Sequence, residues 1–174
     1  IKKITKKYGH LYGLINNAAI GKDGVLSTMH DSDISEVIHV NLTATIVLSK
    51  YASRSMLLNK EGRIINISSI IANTGFNGLS VYAASKSGLI GFTKSLSREL
   101  GRAKITVNAI LPGYMTTAMT DGIQNDQLDK IKRRSPMQSL VSTDDVSPFV
   151  SYLLDDSASR ITGTNFTIDA GATA

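Results

Sequence analysis

An α/β fold built on a parallel sheet with helices on both faces is predicted by three observations. Short apolar strands alternate with helical runs along the whole chain. The segment Arg63-Ile64-Ile65-Asn66-Ile67-Ser68 is almost unbroken in its apolar character, the pattern of a strand buried on both sides. Polar or glycine-bearing turns, Asn16-Asn17-Ala18-Ala19, Ser68-Ser69 and Pro112-Gly113, each close a strand, so they converge on the carboxyl rim of the sheet, where ligands bind in folds of this type.

The elements follow in order. Ile1, Ile4 and Tyr8 recur at helical spacing and predict the tail of an amphipathic helix. Residues 11–16 form a short strand. Asp31-Ser32-Asp33 can cap a helix whose Ile34, Val37 and Ile38 face inward. A helical run from Leu42 to Leu58 leads through Asn59-Lys60-Glu61-Gly62 into the buried strand. Ser80 to Leu100 reads as a long helix with an inward stripe of Ala84, Gly88, Phe92, Leu96 and Leu100, the two small residues allowing close packing. Ile105 to Leu111 is the next buried strand. Between Tyr114 and Leu140 the pattern loosens. Thr143-Asp144-Asp145-Val146 opens a helix, and Pro148, which has no N–H, requires it to start near Asp144 or Asp145. Phe149, Val150, Leu153 and Leu154 face the core, and residues 164–168 form the last strand.

At 174 residues the chain suits one domain, residues 1–174, with 42% hydrophobic and 19% charged residues giving it enough apolar surface for a core. The absence of cysteine excludes disulfides and thiolate metal sites, and His10, His30 and His39 fit no metal-ligand spacing, so no metal is expected. No apolar run reaches the ~18 residues of a membrane span. The net charge is +5, but the cations are dispersed and no aromatic-interleaved patch accompanies them, which argues against nucleic-acid binding.

The chemistry lies in Tyr82, Lys86 and Ser69. Residues four apart share a helix face, so the Lys86 ammonium can lie beside the Tyr82 phenol and favour its ionised form. Ser69 would hold a substrate oxygen while Tyr82 gives or takes a proton. The plain alternative is a packed aromatic, a solvated lysine and a turn serine. Five signals in sequence decide between them: Asn16-Asn17-Ala18-Ala19, Val40-Asn41-Leu42, Ile67-Ser68-Ser69, Tyr82 with Lys86, and Leu111-Pro112-Gly113.

That order resembles the short-chain dehydrogenase/reductase family from about Leu11 to Gly171, and within it most closely the 3-oxoacyl-[acyl-carrier-protein] reductases. The closer likeness is carried by Gly88-Leu-Ile-Gly-Phe-Thr-Lys-Ser-Leu-Ser-Arg-Glu99 and by Ile105 to Gly113. The resemblance implies a Rossmann-like doubly wound sheet and a catalytic set of Asn41, Ser69, Tyr82 and Lys86, with Asn41 holding a water near Lys86. It implies coenzyme contacts from Asn17, Ala18, Tyr82, Lys86, Pro112, Gly113, Met115 and Thr117, and a substrate lid between Tyr114 and Leu140. Ala19 stands where the family usually has glycine.

The glycine-rich turn that opens such folds has no counterpart here, so the first βα units are expected to lie upstream of Ile1. Residues that choose between NAD and NADP would lie there too; NADP is favoured by the resemblance and NAD stays open. The implied reaction reduces a 3-oxoacyl thioester to its 3-hydroxyacyl form in fatty-acid synthesis, with a generic carbonyl reductase or a non-catalytic subunit as alternatives. Implied partners are an acyl carrier protein and three further copies in a homotetramer that packs helices 42–58 and 80–100. Cytoplasm and mitochondrial matrix are both open as locations. Lys60, Arg63, Arg98, Arg102 and Lys104 either dock the acidic carrier or neutralise helix C-termini.

Overall fold

The computed structural model describes residues 1–115 and 125–174, with side chains of 125–127 excepted. Among these, β1 (Gly13–Asn16), β2 (Gly62–Ile67), β3 (Ile105–Pro112) and β4 (Asn165–Ile168) form one sheet in the order β1-β2-β3-β4, every pair parallel. Parallel neighbours need crossovers. α2 (Asp31–Ile38) and α3 (Ala44–Asn59) supply the first, α4 (Ile71–Thr74) and α5 (Ser80–Leu100) the second, and α6 (Asn125–Arg134) and α7 (Thr143–Leu154) lie in the third.

Side chains alternate across β2, so it feeds two cores. Ile64 packs with Ala52 and Met56 of α3, Leu96 and Leu100 of α5, and Ile105 and Val107 of β3. Ile65 points the other way, with Ile110, Val141, Val146, Leu153 and Ala158. The sheet is thus covered on both sides, as its apolar strands predict. No helix among the described residues is long and apolar enough to cross a membrane.

Several local expectations need correction. The N-terminal helix, α1 (Lys2–Tyr8), forms, but it buries no residue, and Ile4 and Tyr8 lie exposed; only Ile1, preceding it, packs against the core. The buried stripe of α5 is Val81, Ser85, Leu89, Thr93, Leu96 and Leu100, one position from the sequence expectation over most of its length, and Ala84 is exposed. Apolar residues alone misplaced that face because Ser85, Thr93 and Ser97 are buried with partners. Gly88 does allow close packing: a Cβ there would meet Leu42 at 2.8 Å.

α7 starts at Thr143, capped reciprocally by Ser142 and Asp145. Pro148 therefore falls in the second turn, and the Asp144 carbonyl four residues earlier is left to solvent, where that loss is tolerable. The helical run into α3 is also not uniform. Residues His39–Thr43 form a π-helical turn, which buries Asn41.

A buried polar ladder ties the helices to the sheet. Asn16 Nδ2 donates to Ser49 Oγ (3.1 Å) and Asn66 Oδ1 (2.8 Å), and Asn66 Nδ2 donates to Thr93 Oγ1 (2.8 Å). Asn16 and Asn66 are register partners, so the first link costs no backbone distortion. Both amide nitrogens and the Asn66 oxygen thus find partners, while the buried Asn16 Oδ1 has none among the described residues.

Candidate active site

Three strand ends build one pocket of about 370 Å³ at the carboxyl rim. β1 contributes Asn17, β2 contributes Ser69, and β3 contributes Pro112 and Gly113, with Tyr114 and Met115 beyond. The N-terminal turns of α5 bring in Tyr82 and Lys86. Ser68 fixes α5 to the sheet, its Oγ donating to the Lys86 carbonyl at 2.9 Å. Ser69 Oγ accepts from the Ile71 N–H at 3.2 Å and so turns the chain into α4. Gly113 is required by close approach, since a Cβ would meet the Asp169 Cα at 2.8 Å.

Lys86 is 3% exposed, and its Nζ donates to the Ile67 carbonyl at 2.8 Å. No carboxylate among the described residues pairs with it. Burial pulls its pKa from 10.5 down to about 8. An ammonium has three donors, so N–H groups are left to bind something else in the pocket. Paired hydroxyls such as a ribose diol suit that need, and the residues present therefore fit a nicotinamide coenzyme.

The expected acidified phenol is not what this arrangement gives. Burial pushes Tyr82 above the ordinary phenol range, the Ser69 hydroxyl opposes this through hydrogen bonding, and Asp23 adds to the rise. Lys86 Nζ sits 5.7 Å from the Tyr82 ring centroid, directed to a backbone carbonyl, and its charge does not outweigh desolvation. Tyr82 is thus held protonated, as a donor.

Asn41 is 1% exposed and lies behind the pocket wall. Its Oδ1 accepts from the Ile20 N–H (2.8 Å), while Nδ2 donates to the Ile20 carbonyl (2.9 Å) and Ser85 Oγ (3.2 Å). Both amide donors are used, holding the loop after β1 against α5. Ala18 is exposed and not part of the pocket lining. Thr117 lies outside the described residues, as does much of the expected lid.

Sequence reasoning missed Tyr114, whose ring meets Phe76 edge-on with centroids 6.0 Å apart. Its only signal was an aromatic directly after the Pro112-Gly113 turn. Arg63 was misassigned to the exposed basic cluster: it is 2% exposed and paired with Asp156 at 3.2 Å. Lys60, Lys104 and Arg160 line a separate cavity at the opposite rim of the sheet.

The chain is similar to known proteins along nearly its whole length. The family model described as "Enoyl-(Acyl carrier protein) reductase" matches residues 1–173. The 3-oxoacyl-[acyl-carrier-protein] reductase FabG of Escherichia coli is 37% identical over 171 residues, covering 98% of this chain and 70% of that protein. FabG of Rickettsia felis is 42% identical over 158 residues, covering 91% and 66%. Nodulation protein G of a Rhizobium species is 39% identical over 158 residues, covering 91% and 64%. The chain belongs to the short-chain dehydrogenase/reductase family of NAD(P)-dependent oxidoreductases.

Proposed function

We propose that this chain carries the catalytic centre of an NADPH-dependent 3-oxoacyl-[acyl-carrier-protein] reductase. The observation that carries the reading is the meeting of Ser69, Tyr82 and Lys86 in one pocket at the carboxyl rim. A bound nicotinamide coenzyme supplies the hydride. Ser69 Oγ holds the ketone oxygen, and Tyr82, kept protonated by burial, gives it the proton. A phenol that starts protonated suits reduction, where the substrate oxygen gains a proton. Lys86 then stabilises the phenolate and binds the coenzyme ribose. Asn17, Pro112, Gly113 and Met115 line the pocket wall that a coenzyme would face. Asn41 positions α5 through Ser85.

A homotetramer is supported by α3, whose Val47, Leu48, Tyr51 and Leu58 remain exposed although apolar. Two-fold packing of α5 against its copy would run the helices antiparallel. A 21-residue helix spans about 30 Å. Its basic end, with Arg98, Arg102 and Lys104, would then approach the partner's pocket, a placement that suits docking of an acidic carrier. Either the cytoplasm or the mitochondrial matrix suits an enzyme drawing on NADPH.

The test is coenzyme oxidation by the full-length protein with three acceptors: a 3-oxoacyl thioester, its 2-enoyl analogue and a simple diketone. The expected order has the 3-oxoacyl thioester first, with NADPH preferred over NADH. A faster rate on the 2-enoyl thioester, the chemistry named in the family description, would replace this reading.

A further inference from the structure

Tyr114 lines the pocket beside Tyr82, yet its hydroxyl is buried with no hydrogen-bond partner among the described residues. A buried hydroxyl without a partner carries a desolvation cost, and such groups in clefts call for an explanation. Nothing about its placement is loose. The Gly113 N–H donates to the Ile168 carbonyl at 2.8 Å, and the Val141 N–H donates to the Tyr114 carbonyl at 3.1 Å, so the backbone is held on both sides. Phe76 holds the ring edge-on. Burial pushes the phenol pKa up, so it remains a donor through the neutral range.

We propose that Tyr114 contacts substrate and donates a hydrogen bond to the thioester carbonyl of a 3-oxoacyl group. This rests on the carbonyl-reductase reading above. A 3-oxoacyl thioester carries two carbonyl oxygens flanking a single methylene. Ser69 and Tyr82 take the ketone oxygen, and the second oxygen needs a donor on the same wall of the pocket. Tyr114 is an adjacent side chain with a hydroxyl to spare, so the pocket selects 1,3-dicarbonyl substrates over isolated ketones. A preorganised donor of this kind adds affinity without ordering cost.

Tyr114→Phe in the full-length protein removes one oxygen and keeps the ring contact with Phe76. With acetoacetyl-coenzyme A as probe, KM should rise about tenfold, the worth of one hydrogen bond. The Tm should not fall, because the lost hydroxyl bonds nothing. A KM within twofold of the parent protein overturns the assignment, whatever the Tm does. Absence of turnover by the parent protein would remove the reductase reading itself and this assignment with it. Parent turnover with an unchanged variant would sink this assignment alone.

Discussion

Lys86 and Arg63 are both almost sealed from solvent, and both serve β2, Lys86 at its carboxyl end and Arg63 at its amino end. Their surroundings differ. Arg63 Nη1 donates to the Gly62 carbonyl, Nη2 reaches Asp156, and the guanidinium lies 5.3 Å from the Tyr12 ring centroid. Lys86 has one backbone carbonyl, and its pKa is pulled to about 8. Among the described residues, Arg63 leaves its buried Nε without a partner but has a carboxylate counter-charge, whereas Lys86 has none. A buried cation with a counter-charge holds structure, and one without is held ready for a ligand. The two ends of one strand thus separate a structural charge from a chemical one.

The largest effect on stability is expected at the structural end. Arg63→Ala removes the stacking on Tyr12 and opens a void, and should cost about 3 kcal/mol in urea unfolding. A cost below about 0.5 kcal/mol would break the comparison. At the other end the sign reverses. Lys86→Met removes an unpaired buried charge and should stabilise the protein by about 1–2 kcal/mol at pH 7 while weakening coenzyme binding. A destabilised variant would place Lys86 among the structural cations.

The pH dependence sharpens the same contrast. Lys86 titrates near 8 when folded and 10.5 when unfolded, so between those values the unfolded chain binds the extra proton. Stability from this group should therefore rise with pH from about 8 to 10.5 and stay level below that window. Thermal melts of the parent protein and Lys86→Met across the window should converge. Asp156→Asn is expected to change least, because that carboxylate is 88% exposed and its pairing is screened by water.

Periodicity and punctuation made much of this legible beforehand. α5 begins and ends at the residues its pattern indicates, Ser80 and Leu100, and β2 is displaced by one residue from its apolar run. The strand-end turns carry Asn17, Ser69, Pro112 and Gly113, which line one pocket. What escaped detection was polar and non-local. The π-helical turn at Asn41, the Asn16–Asn66–Thr93 ladder and the Arg63–Asp156 pair join residues separated by 21 to 93 positions. Hydrophobic spacing carries no trace of such partners. The phenol pKa was misjudged for a related reason. Four-residue spacing put the Lys86 ammonium near Tyr82 but could not reveal that Nζ turns to Ile67 and that burial dominates.

The central claim is that the Tyr82 phenol, held protonated by burial, delivers the proton to a substrate ketone. Turnover of a 3-oxoacyl thioester by full-length Tyr82→Phe, measured as NADPH oxidation alongside coenzyme binding, tests it most directly. The account predicts a loss of about 10³-fold in kcat with coenzyme affinity nearly unchanged. Turnover at the parent rate would contradict it.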